Sequence, residues 1–191
     1  MRLLSKSNDL SGSLKYTYKM LETSLAQNPS LPVPAWGSKG NFLQIHQSVN
    51  DLDSDLALDR ILIMDRIYRY AWAFDERQID ALNNCFTVDA IWEGNTQGIM
   101  PVPPFKGRTT ITDWLSGFWA NQSDQRRHVM VNIVIDNQSA DKADALVLLM
   151  LTAASQSNLE IVLTSFYKLR LEKDSGIWRI AHLFEGFDVD F

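Results

Sequence analysis

Tyrosine, aspartate and histidine, all able to donate or accept hydrogen bonds or protons, interrupt otherwise apolar stretches of this chain. The segment 66–75, RIYRYAWAFD, sets Tyr68, Tyr70 and Asp75 among Ile, Ala, Trp and Phe. RHVMVNIVID carries His128 and Asn132, and SGIWRIAHL carries His182. An imidazole titrates near neutrality and can take or give a proton. A tyrosine hydroxyl can hydrogen-bond a developing enolate. A carboxylate can hold an imidazole in one tautomer, or act as a base itself when burial raises its pKa. These groups suit dehydration or isomerisation next to a carbonyl, which needs a base for the C–H proton and an acid for the departing hydroxyl or the enolate oxygen. Each residue also has an ordinary use. Tyrosine rings are buried with their hydroxyls at a rim, aspartate closes helices and turns, and a histidine on an apolar strand face is often a satisfied core residue.

Geometry narrows the choice of partners. At about 100° per residue, Tyr68 and Asp75 lie on nearly one helix face, whereas Tyr70 and Asp75 lie roughly 140° apart. An ideal helix therefore pairs Tyr68 with Asp75, and Tyr70 joins them only if the helix ends or distorts near Phe74. Strand alternation places His128, Met130, Asn132 and Val134 on one face of 127–136. It places Trp178, Ile180, His182 and Phe184 on one face of 177–188, with Arg179, Ala181, Leu183 and Glu185 on the other.

The elements that must position these residues divide the chain in two. Residues 1–50 read as an extension. Leu14, Tyr18, Leu21 and Leu25 suggest a short amphipathic helix, and NPSLPVPAWGSKGN (28–41) suggests a loop or extended arm. From 51 to 191 a single domain is expected. A long helix starts near Asp51–Asp55, with Leu56, Ile61, Ile63, Met64, Ile67 and Ala71 spread nearly all round it, so that most of its sides should be buried. A second helix covers about 77–86, AIWEG (90–94) is a short strand, TQGIMPVPPFKG (96–107) is a proline-rich loop, and a third helix covers about 109–120. Four long strands follow, at 127–136, 143–156, 159–172 and 177–188, separated by turn-forming residues. Helices first and an antiparallel meander after them indicate an α+β fold with helices on one face of a curved sheet.

Composition excludes several classes. The chain has 191 residues, 46% hydrophobic and 21% charged, with a net charge of −5. Lys and Arg are scattered, which argues against nucleic acid and anionic membranes as partners. Cys85 is the only cysteine, so an intrachain disulfide and a four-thiolate zinc site are excluded. It reads as a small buried hydrophobe. His46, His128 and His182 sit in separate elements without ligand spacing, and no metal is expected. The opening MRLLSKSNDL lacks an apolar run of signal-peptide length, and ALVLLMLTAA (145–154) is about half of what a bilayer-spanning helix needs. A soluble, cytoplasmic protein is expected.

The run IYRYAWAFDERQIDALNNCFTVDAIWEG (67–94) resembles the helix–helix–strand opening of SnoaL-like proteins in the NTF2-like superfamily. Its pattern is a Tyr, an Asp five residues on, a second Asp, a Phe and an Asp-Ala pair entering a strand, here Tyr70, Asp75, Asp80, Phe86 and Asp89-Ala90. FKGRTTITDWL resembles the third helix of that family, RRHVMVN its histidine-bearing strand and SGIWRIAHL its closing strand, so the likeness spans about 55–190. It implies a cone in which three helices pack on a strongly curved, mainly antiparallel sheet around a deep pocket. Similar cofactor-free enzymes include polyketide cyclases, scytalone dehydratase and bile acid 7α-dehydratase. The last uses a Tyr, an Asp and a strand His that match Tyr70, Asp75 and His128. The resemblance thus selects Tyr70 over Tyr68 as the partner of Asp75.

What it implies is a cofactor-independent lyase or isomerase, of dehydratase or cyclase type, for a cyclic, largely apolar small molecule. His128 would be general acid/base, Asp75 its orienter or co-base, and Tyr70 the donor to the substrate oxygen. Tyr68, Trp92, Asn132 and His182 would contact substrate. No cofactor is implied, and pairing into a homodimer or higher homo-oligomer is expected. Two other roles share the scaffold: a non-catalytic small-molecule-binding protein, and the structural small subunit of a ring-hydroxylating dioxygenase, which AFDERQIDAL resembles faintly.

Overall fold

In the long helix that crosses the sheet, apolar residues recur at the spacing that builds one buried stripe. Asp59, Ile63, Ile67, Tyr70 and Ala71 are buried, whereas Leu58, Ile61, Leu62, Tyr68 and Trp72 are exposed. The expectation that most sides of this helix would be buried is therefore corrected: among the described residues, the buried positions form one stripe, the one that meets the sheet. The computed structural model describes residues 34–46 and 53–189. The expected amphipathic helix at Leu14–Leu25 lies outside the described residues.

We number the helices α1 (Trp36–Lys39), α2 (Ser54–Asp75), α3 (Ile79–Asn84) and α4 (Arg108–Gly117), with a 3₁₀ turn at Phe118–Asn121. The strands are β1 (Phe86–Thr96), β2 (Met100–Lys106), β3 (Gln125–Asp136), β4 (Lys142–Ser155), β5 (Asn158–Asp174) and β6 (Ile177–Phe187). They form one sheet in the order β2-β1-β6-β5-β4-β3. Only the β1–β6 pair is parallel among these neighbours. The sheet is curved and helices pack on it, an α+β architecture.

Two local expectations are overturned. The proline-rich segment after β1 is strand β2, an edge strand whose prolines need donate nothing to a further neighbour. The arm at 28–41 contains one turn of helix, α1. Its Trp36 indole donates to Asp188 Oδ1 at 2.9 Å, and its ring lies 5.3 Å from Phe166. Phe42 stacks on Phe184 at 5.3 Å. These rings close over Gly186, where a Cβ would come within 2.3 Å of Phe166.

Local chemistry sets the ends of α2. Asp53 caps its start, accepting from the Leu56 N–H at 2.8 Å. At its end Arg77 takes a left-handed conformation with φ 54°. The Gln78 N–H then reaches Ala73 O at 2.8 Å, and the Arg77 N–H reaches Phe74 O at 3.1 Å. That pair of bonds is a Schellman stop, and it leaves Asp75 as the last helical residue. In its second turn, Asp59 anchors the buried stripe by accepting from Lys173 Nζ at 2.7 Å and Trp178 Nε1 at 2.9 Å.

Bulges decide which residues face the helices. β3 and β4 shift register between Val131 and Val134, where β3 carries one extra residue. Asn132 occupies the bulge with φ 53°, a conformation asparagine tolerates better than most residues. On β6 the register slips at Ala181, since Arg170 faces His182 and Leu171 faces Ile180. One extra residue inverts the alternation beyond it. Trp178 and Ile180 are buried before the slip, and Leu183, Glu185 and Phe187 after it.

Candidate active site

Asp75, at the last turn of α2, grips His128 on β3 twice. One carboxylate oxygen accepts from the His128 backbone N–H at 2.8 Å, and the other lies 2.5 Å from ring Nδ1. Both side chains are nearly inaccessible, at 5% and 4% of their surface. Gln125 Nε2 donates to Asp75 O at 3.2 Å, tying the start of β3 to the same helix end. The Phe74 ring packs edge-on against the imidazole at 4.9 Å. An ionised carboxylate only accepts, so the Nδ1 proton points at Asp75, and Nε2 is left as the nitrogen for a ligand.

His128 lines a cavity of about 720 Å³ between α2, the α4–3₁₀ segment and the concave face of the sheet. Tyr70 lines it as well, 2% exposed. The Tyr70 ring is held edge-on between Phe86 at 5.7 Å and Tyr167 at 6.0 Å. Burial pushes the Tyr70 hydroxyl far above its ordinary value, and the nearby Glu185 carboxyl adds to that. Tyr70 is therefore a neutral donor at any physiological pH. An aromatic wall of Trp92, Trp114 and Phe118 encloses the far side, with Trp92 and Trp114 ring centroids 4.2 Å apart. The buried Trp92 Nε1 has no hydrogen-bond partner among the described residues.

Of the seven residues singled out from sequence, Tyr70, Trp92 and His128 line the cavity, and Asp75 supports His128 from behind. Three do not reach it. Tyr68 is 40% exposed on the outer side of α2, so the ideal-helix pairing of Tyr68 with Asp75 fails. The tertiary contact that matters to Asp75 comes from β3, which meets the helix end. Asn132 projects from the β3 bulge and is exposed. His182 lies on the convex face, where Nε2 is 2.9 Å from Glu93 Oε1, because the slip at Ala181 turns it away from the helices.

Sequence reasoning missed Tyr167 and Glu185. They face each other across β5 and β6, both line the cavity, and Ser165 Oγ donates to Glu185 Oε1 at 3.0 Å. Burial pushes the Glu185 carboxyl up to about 8, against hydrogen bonds from Ser165 and Tyr167 that pull it down. Burial also raises the Tyr167 hydroxyl, with Glu185 next in importance. The shared face of Ser165 and Tyr167 was legible in β5, but without the bulge Glu185 counts onto a face with Arg179. Among the described residues, no group of three or more His, Cys, Asp or Glu side chains is placed to hold a metal ion. Nor is any helix there long and apolar enough to cross a membrane.

Comparison with known proteins agrees with this architecture. The SnoaL-like domain family model matches residues 55–183. No curated protein matches the chain. Among solved structures, an NTF2-like protein with a cystatin-like fold from Novosphingobium aromaticivorans superposes with a TM-score of 0.58 at 18% identity, covering 75% of this chain and 94% of that one. The beta subunit of a putative aromatic-ring-hydroxylating dioxygenase from the same species reaches 0.61 at 14% identity, covering 71% and 92%. A hexachlorocyclohexane dehydrochlorinase from Novosphingobium barchaimii reaches 0.58 at 20% identity, covering 72% and 92%. At these identities the likeness is one of fold.

Proposed function

Because the chain belongs to the SnoaL-like domain family of the NTF2-like superfamily, we propose that it is a cofactor-independent lyase or isomerase acting by general acid–base catalysis on a cyclic, largely apolar small molecule. The observation that carries this reading is the double hold of Asp75 on His128 at the wall of an aromatic cavity. A histidine needed only for packing would not require its backbone and its ring to be fixed by the same buried carboxylate.

In this reading Nε2 of His128 removes a proton from carbon next to a carbonyl, and Asp75 stabilises the imidazolium that forms. The Tyr70 hydroxyl donates to the oxygen on which charge develops. Trp92, Trp114 and Phe118 bind the flat apolar body of the substrate and exclude water. The name of one structural neighbour, a dehydrochlorinase, denotes an elimination, which is compatible with this chemistry.

A panel of cyclic β-hydroxyketones tests the proposal, with formation of the conjugated enone followed by absorbance. Turnover by the wild-type protein that drops at least a hundredfold in His128→Ala supports it. Full activity in both His128→Ala and Asp75→Asn would end it. We also propose that two copies pair through the convex face of the sheet, where Val131, Leu148, Leu159 and Ile161 are exposed. Sedimentation of the wild type against Leu148→Glu tests this: the proposed pair dissociates in the variant, whereas a monomeric wild type removes the idea.

A further inference from the structure

Glu185 supplies the carboxyl group among the residues that line the cavity, and the proposed acid–base roles leave it unassigned. It is 7% exposed, lines the cavity with His128, and forms no ion pair with a Lys, Arg or His among the described residues. The neighbours that face it are hydroxyls: Ser165 and Tyr167 on β5, with Tyr70 on α2 joined through Tyr167. The charged or titratable groups elsewhere on the cavity wall are His128, already held by Asp75, and Arg126, bound to Asp124 at 2.6 Å. A buried carboxylate without a cation is costly, and such a group holds its proton instead. Burial accordingly keeps Glu185 protonated up to about pH 8. A carboxylic acid has one acceptor oxygen and one O–H donor. The Ser165 and Tyr167 hydroxyls both donate to this carboxyl, Ser165 to Oε1; those two bonds use its acceptor positions and leave its O–H proton to be donated.

We propose that Glu185 donates a hydrogen bond or proton to an uncharged carbonyl or hydroxyl oxygen of the ligand, as acid partner to His128, and that the site selects neutral oxygenated compounds over carboxylates. The inference rests on the acid–base reading for its catalytic half only. In an elimination, His128 Nε2 takes the C–H proton and the C–H electron pair forms the C=C bond. The C–O bond then breaks with its pair on oxygen, which takes the Glu185 proton and leaves as water. The imidazolium gives its proton to solvent and the carboxylate regains one from solvent, restoring both groups. The selection for neutral ligands follows from charge, because a ligand carboxylate would find no unpaired cation among the described residues of the cavity wall.

The test uses the full chain and 1-tetralone as a probe carbonyl, read by infrared difference spectroscopy between pH 5 and pH 10. The expected result is a lowered probe carbonyl stretch in the wild type that relaxes as pH rises past about 8, together with loss of the protonated-carboxyl band. In Glu185→Gln that band is absent and the probe shift is independent of pH. His128→Ala should keep the wild-type probe shift while abolishing turnover of β-hydroxyketones, so failure of the donor and failure of the catalytic reading give different results. Tetralone-2-carboxylate should bind at least tenfold more weakly than 1-tetralone at pH 7. A pH-independent shift in the wild type, an unchanged carboxyl band in Glu185→Gln, equal binding of the carboxylate, or no binding of 1-tetralone would each overturn the proposal. If Glu185→Gln fails to fold, the wild-type titration decides.

Discussion

The carboxylate of Asp75 spans the backbone N–H and the ring Nδ1 of His128, at 2.8 Å and 2.5 Å, so one side chain sets both the position of the strand and the orientation of the imidazole. Fixing the ring this way aims Nε2 at the cavity before any ligand arrives. The cost of orienting the base is met during folding rather than in the reaction.

Asp75→Asn keeps the shape but removes the charge that favours the Nδ1–H tautomer and the imidazolium. Turnover should fall by about 10²–10⁴-fold, by analogy with other histidine–carboxylate pairs. Stability should fall by roughly 1–3 kcal/mol, because a charge-assisted bond to a buried N–H is weakened. Steady-state kinetics and urea unfolding separate the two effects. An unchanged rate would show that Asp75 is purely structural.

Tyr70→Phe removes one hydroxyl and keeps the edge-on packing with Phe86 and Tyr167. The melting temperature should move little, whereas kcat should drop by roughly 10²–10³-fold if the hydroxyl stabilises a developing oxyanion. A loss of stability with no change in kcat would assign Tyr70 to the core instead.

Glu185 gives the protein an alkaline weakness. Its folded pKa is raised to about 8 from an ordinary 4.5. The neutral carboxyl therefore supports the fold fully below the unfolded value. That support declines as pH rises from about 4.5 and is exhausted beyond about 8. Glu185→Gln should flatten this slope and raise the stability at pH 8 relative to the wild type. Denaturant titrations at several pH values check the sign, and an identical slope in both proteins would refute it.

Asp59 acts in the opposite direction. Burial alone would raise its carboxyl, but hydrogen bonds from Lys173 and Trp178 and the Lys173 charge together hold it below 3.8. Its contribution is present above that unfolded value and is lost as pH falls through the lowered folded one. Asp59→Asn should destabilise the protein at pH 7 by roughly 2–4 kcal/mol, since it weakens the bonds to the half-buried Lys173 ammonium and the buried Trp178 indole. It should also remove the corresponding part of the acid transition, as seen by circular dichroism.

Gly186→Ala places a methyl 2.3 Å from Phe166 Cζ, and the ring must swing away. That disturbs the tilted ring contact of Trp36 with Phe166 at a cost of about 1–3 kcal/mol. Thermal melts should show the loss, and Trp36 fluorescence should report the disturbed contact. Neither should change if the ring can rotate freely.

The sequence alone determined the order of the main helices and strands, and its resemblance to SnoaL-like proteins singled out Tyr70, Asp75 and His128 together. A helix with an acidic start, a second helix and four turn-punctuated strands could be read from local chemistry, and the pattern Tyr70, Asp75 and His128 came from residue types at family spacing. Its errors about which strand residues face the cavity have a common physical origin. Alternation assigns faces only while the strand is regular, and one inserted residue inverts every assignment beyond it. The bulge at Asn132 and the slip at Ala181 are settled by pairing with β4 and β5, partners distant in the chain. Tertiary structure thus moved Asn132 and His182 out of the cavity and brought Glu185 in. The same reason explains Tyr70: a helical wheel compares residues within one helix, whereas β3 meets the end of α2 from the side and supplies the partner that Asp75 could not find on its own helix.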